Sequence, residues 1–143
     1  MSAVTKVPNH AKYMLATKKI DLANDVIKAV LLDPAFVFYK NLHGTLADIT
    51  ANQLATGYGY TQNSDTIANQ AVAEDNVVDA AVLTADTVTW HAVGGIIGPF
   101  RSVAFYDDTT DDDTVLCCVD LGEDVSIVDG SDFSVTNVSL KLL

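Results

Sequence analysis

Residues 102–121 read SVAFYDDTTDDDTVLCCVDL. Two apolar runs, 102–106 and 114–121, flank an unbroken polar run from Asp107 to Asp113. Each apolar run is of strand length and has period-2 character. The polar run carries five carboxylates in seven positions, which neither strand could continue. The stretch predicts two β-strands joined by a solvated acidic turn, whose charges also discourage edge-to-edge pairing. Calcium needs six to eight hard oxygens, and five carboxylates could supply several. The alternating acids, central Gly and closing Glu of an EF-hand loop are absent, so the hairpin turn is the preferred assignment.

The same pattern extends in both directions. Segments with period-2 character run over 60–70, 76–83, 87–92 and 133–143. In the last, Ser134, Thr136, Val138, Leu140 and Leu142 form the better core face near the end. Gly94-Gly95, Gly98-Pro99, Gly122-Glu123-Asp124 and Asp129-Gly130-Ser131 punctuate them. Short strands at such intervals indicate a sandwich or barrel. Upstream, 25–32 (DVIKAVLL) is rich in β-branched residues and stops at Asp33-Pro34, where Pro34 biases Asp33 away from helix. A helix through 20–32 is the competing assignment. Residues 10–17 alternate loosely, with Tyr13 and Leu15 on one face, and are assigned as a strand. Thr45 to Ala55 is the best helical stretch, with Leu46, Ile49 and Leu54 at near-helical spacing and Thr45 or Asp48 as cap. Pro8 argues against regular structure in the first nine residues.

The expected fold is therefore all-β: a jelly-roll-like antiparallel β-sandwich of about eight strands, the number found in two-sheet jelly rolls, with one short helix. Residues 1–9 form an extended N-terminal arm and 10–143 a single β-sandwich domain. At 143 residues and 49 % hydrophobic composition, the chain can bury a core without staples.

Charge narrows the partners. The net charge is −11, which disfavours phosphate backbones and anionic lipid, so neither nucleic acid nor membrane is expected as partner. The charge is also segregated. The first 40 residues hold six lysines and three acids, a net +3, while residues 41–143 hold two basic groups and 16 acids, a net −14. Lys6, Lys12, Lys18 and Lys19 precede the first acid. This asymmetry marks those four lysines as candidate partner contacts.

Catalytic chemistry finds no foothold in the spacing. His10, His43 and His91 stand far apart, and no Gly-x-Ser-x-Gly elbow, P-loop or dinucleotide fingerprint occurs. No enzyme activity, cofactor or metal is expected. Adjacent Cys117 and Cys118 form a poor staple and lack a second ligand pair for zinc. In a strand they point to opposite faces, so one should pack inside and the other lie outside or at an interface. Free thiols suit synthesis in a cytoplasm. The opening MSAVTKVPNH lacks an apolar run of signal length, so no leader is expected. Trp90 is expected in the core, a surface sugar platform being the alternative.

Three blocks carry a resemblance: 9–30 (NHAKYMLATKKIDLANDVIKAV), 47–62 (ADITANQLATGYGYTQ) and 94–110 (GGIIGPFRSVAFYDDTT). In order and spacing they resemble the capsid cement or decoration proteins of tailed bacteriophages. Phe100-Arg101 and the cysteine pair depart from that pattern. The resemblance implies a structural virion protein, made in the host cytoplasm and placed on the outer capsid surface. It would bind the major capsid protein of an HK97-type shell and stabilise contacts between capsomers. A homo-oligomer, dimer or trimer, is expected, since an exposed sheet edge is naturally paired across a symmetry axis. The alternative is a tail, baseplate or carbohydrate-binding sandwich protein acting in adsorption.

Overall fold

The computed structural model describes residues 4–136 and 138–142. Its centre is the hairpin anticipated around the acidic run. Strand β7 (Ile97–Asp107) pairs antiparallel with β8 (Thr114–Ile127). Their register slips once near the turn. Phe105 faces Cys117 and Tyr106 faces Val115, which leaves Leu116 as the extra residue of a bulge. On the far side of β7 lies β2 (Ile27–Leu32), and β3 (Asp65–Thr66) pairs with β2. On the far side of β8 lies β1 (Val4–Lys6). The five-stranded order is β1-β8-β7-β2-β3.

Two smaller antiparallel sheets complete the strands. One is β10-β5-β4, built from β4 (Ala71–Asp75), β5 (Ala80–Ala85) and β10 (Val138–Leu142). The other joins β6 (Val88–His91) to β9 (Asp132–Val135). The fold class is all-β, as the sequence indicates, and the 25–32 segment is strand rather than helix.

Alternation on the large sheet sorts its side chains into two cores. Ile27, Ala29, Leu31, Val103 and Phe105 meet Leu83, Val88, Trp90, Val138 and Leu140 of the smaller sheets. The opposite face, with Val30, Leu32, Ala104, Tyr106 and Val115, is covered by Phe36 and Ile49, with Phe38 and Leu46 alongside. The central strands are thus buried on both faces. This corrects the expectation for the cysteines. Cys117 belongs to the first core and Cys118 to the second, and both are buried free thiols. They do point to opposite faces, but neither face is open.

The N-terminal region departs most from expectation. Residues 4–6 form a strand despite Pro8, because the proline lies beyond it and caps the next element. Residues 10–17 are not a strand. Helix α1 runs Asn9–Ala16, entered from Pro8 with φ −67°. Ala11 is buried, and Met14 and Leu15 pack against the main core. That i, i+3, i+4 spacing is a helical one, whereas Tyr13 points outward. Helix α2 (Leu46–Ile49) has Thr45 and Asp48 in a reciprocal capping box. It gives way to a 3₁₀ turn at Thr50–Asn52, shorter than the run to Ala55 suggests.

Other boundaries also shift. Only Asp65–Thr66 of the 60–70 segment is strand, and residues 76–79 are the turn between β4 and β5. The segment 133–143 is two strands in different sheets. Val138 and Leu140 face the core as expected, but in β9 it is Phe133 and Val135 that turn inward. Residues 1–3, 137 and 143, which the arm and this alternation included, lie outside the described residues.

Candidate partner-binding surface

The four candidate lysines ride on the two elements that lie against β8. Lys6 is in β1, opposite Cys118. Lys12 is in α1, and Lys18 and Lys19 form the turn that ends it. All four are exposed, and none is in an ion pair among the described residues. Lys18 and Lys19 are consecutive at the end of α1, whereas Lys6 is on β1.

The end of α1 shows how the chain presents this pair. The Lys18 N–H donates to the Leu15 carbonyl at 3.2 Å, and the Lys19 N–H donates to the Met14 carbonyl at 2.9 Å. This is the Schellman pattern. Its left-handed position is held by Lys18 with φ +62°, where glycine is the usual residue. Among the described residues, four of the other five non-glycine residues at positive φ are Asn or Asp, which tolerate that region through local hydrogen bonds. Lysine has no such excuse, so a charge stands where the backbone favours glycine.

The surface extends beyond the predicted lysines. The Asn9 N–H donates to the Lys40 carbonyl at 2.9 Å, tying the start of α1 to the 39–43 turn. Tyr13 of α1 is 62 % exposed, and Val37, Tyr39 and Leu42 of the turn region are 59 %, 53 % and 59 % exposed. The period-2 run Phe36-Val37-Phe38-Tyr39 carries the signal: Phe36 and Phe38 turn to the second core, which points Val37 and Tyr39 outward. Aromatic groups are enriched at interface centres, and the rim around them is polar.

The acidic turn is a built hairpin end. Asp107 is fully buried. Its Oδ1 accepts from the Thr109 N–H at 2.9 Å, while Oδ2 accepts from no N–H or hydroxyl among the described residues. Burial, with the Asp25 carboxyl beside it, pushes Asp107 up to about 7. Asp108 pairs with Lys28 at 3.1 Å. Asp112 meets His10 of α1 at 2.7 Å. Burial opposes ionisation of Asp112, but hydrogen bonds from Thr114 and His10 hold its carboxyl below the usual range. The carboxylates thus serve different partners. Among the described residues, no three of His, Cys, Asp and Glu gather as metal ligands do.

Trp90 is 2 % exposed and lies in the core. Its Nε1–H donates to Asp65 Oδ2 at 2.8 Å, so it offers no stacking platform to a sugar. Gly57-Tyr58-Gly59-Tyr60 is a two-residue turn with positive φ at Tyr58 and Gly59. A Cβ on Gly59 would lie 2.2 Å from the His91 carbonyl oxygen, which fixes that position as glycine. Tyr60 is buried, accepting from the Leu31 N–H at 3.2 Å and donating to Gln53 Oε1 at 2.8 Å. Among the described residues no helix is long and apolar enough to cross a membrane.

No protein-family model, curated protein or solved structure matches this chain.

Proposed function

We propose that this chain is a structural virion protein: a capsid cement or decoration protein on the outer surface of an HK97-type phage shell. Its partner is the major capsid protein, and it acts as a homo-oligomer. The observation that carries this proposal is a set of exposed lysines, none in an ion pair among the described residues, together with exposed aromatic and aliphatic groups on and beside α1, on an otherwise acidic molecule. Such a surface can bind without doing chemistry. Each copy buries area on shell subunits, and many modest contacts hold the layer through avidity. The left-handed Lys18 supports the same role, since strain of this kind persists where function retains it.

Purified shells lacking the protein should bind added chain to saturation. Reversing Lys6, Lys12, Lys18 and Lys19 to Glu should reduce occupancy by at least about tenfold, while circular dichroism and the unfolding midpoint stay near those of the unaltered chain. Full occupancy by the folded, charge-reversed chain would exclude this surface as the shell contact.

A further inference from the structure

The two layers of the sandwich do not close completely on one another. Between the large sheet and the β9–β10 side lies a cavity of about 490 Å³. Val103, Phe105 and Leu116 line it from the large sheet, and Val135, Val138 and Leu140 from the other layer. Of its lining residues, Thr5, Ser134, Thr136 and Ser139 are exposed. Every one of those four carries a hydroxyl and none a charge. Among the described residues, no Lys, Arg, His, Asp or Glu lines any part of it.

We propose that this cavity is a binding site for an uncharged molecule with a hydrocarbon chain or ring system and a hydroxyl-like polar end. Three observations select that class. The volume falls within the roughly 300–1,000 Å³ range of ligand pockets and is about three times that of an apolar cavity known to take up benzene. An apolar wall gives water too few hydrogen-bond partners, so hydrocarbon gains free energy by entering. An ionised head group would find no counter-charge among the described lining residues, whereas a neutral hydroxyl can exchange hydrogen bonds with Thr5, whose strand partner Val119 packs on the same core; Ser134 is bonded instead to Thr89 on the outer face of β9. The Cys117 thiol also lines the wall; burial first, then the neighbouring Cys118, pushes it up to about 12, so it stays neutral and adds no charge. Thr5 of its lining adjoins Lys6 in β1, but the site does not rest on the virion assignment.

The test is fluorescence titration of the full chain with Nile red, followed by competition with decanol and with decanoate at a pH where decanoate is ionised. Decanol should displace the dye, and decanoate should be weaker by at least about tenfold. Methyl NMR of the unaltered protein should show decanol shifting Val103, Leu116, Val138 and Leu140. The substitution Val138→Phe, which fills the cavity, should weaken decanol by a similar factor. The NMR experiment keeps the test valid if that variant fails to fold. Absence of decanol binding, or binding that leaves the methyl groups of those four residues unmoved, would overturn the site. Equal affinity for decanol and decanoate would overturn the proposed ligand class.

Discussion

Asp107 shows how far one side chain can depart from the run it belongs to. Its unfolded pKa is near that of any aspartate, about 3.9, whereas in the fold it is pushed up to about 7, first by burial. The native state therefore favours the protonated form. Stability from this group is fully present below about pH 4 and is lost as pH rises through about 7. Asp112 and Asp120 are held low, the latter first by the Gly122 N–H, and act with the opposite sign only at the acid end. We predict that Asp107→Asn stabilises the protein by on the order of 2 kcal/mol above about pH 8. The amide oxygen keeps the bond from the Thr109 N–H. Urea unfolding at about pH 5 and about pH 8 should show a fall for the unaltered chain that the variant lacks; an identical fall in both would remove Asp107 as its source. Nothing in DDTTDDD distinguishes Asp107 from its neighbours. Its burial follows from strand register, which tertiary pairing with β2 sets.

At the scale of elements, the β7–β8 hairpin was legible because two period-2 runs flank an acidic turn that can only be solvated or pinned. The bulge at Leu116 was not, since an extra residue leaves the local pattern unchanged and shows only against a partner. Helix α1 was masked by its weak amphipathicity. It buries one residue fully, Ala11, and half-buries Met14 and Leu15, so loose alternation and helix compete on nearly equal terms. The second core was hidden for a different reason: its cover is the irregular chain from Phe36 to Ile49, which has no strand or long helix to announce it. That cover has a measurable consequence. Burial pushes both thiols up to about 12, so neither is a thiolate at neutral pH. We predict that a charged, water-soluble disulfide reagent leaves Cys117 and Cys118 untouched in the native state and modifies both once denaturant unfolds the chain. Mass spectrometry of alkylated peptides reads this directly. Fast native modification of Cys118 alone would mean that the 36–49 cover stands open.

The whole molecule divides its charge between a basic start and an acidic remainder. The fold adds that the start is not a loose arm. Strand β1 and helix α1 fix most of it against β8, so under the proposed role the backbone that carries the lysines would be ordered before binding. The proposed partner surface was legible in the sequence as lysines, because charge is countable. Its aromatic and aliphatic half was not, because exposure of Tyr13, Tyr39 and Leu42 depends on which neighbours the core had already claimed. The two halves respond differently to salt. Screening shortens from about 10 Å at 0.1 M to about 3 Å at 1 M, which weakens the lysine contacts and leaves apolar burial intact. Shell occupancy should therefore fall as salt rises over that range, to a floor set by the apolar groups. Reversing the four lysines should abolish the fall or invert it, because screening then relieves repulsion rather than attraction. Replacing Tyr39 and Leu42 by Ser should instead lower the floor while keeping the salt slope. Occupancy measured by sedimentation across the salt series separates these outcomes. A salt-independent occupancy for the unaltered chain would place the contact elsewhere on the molecule.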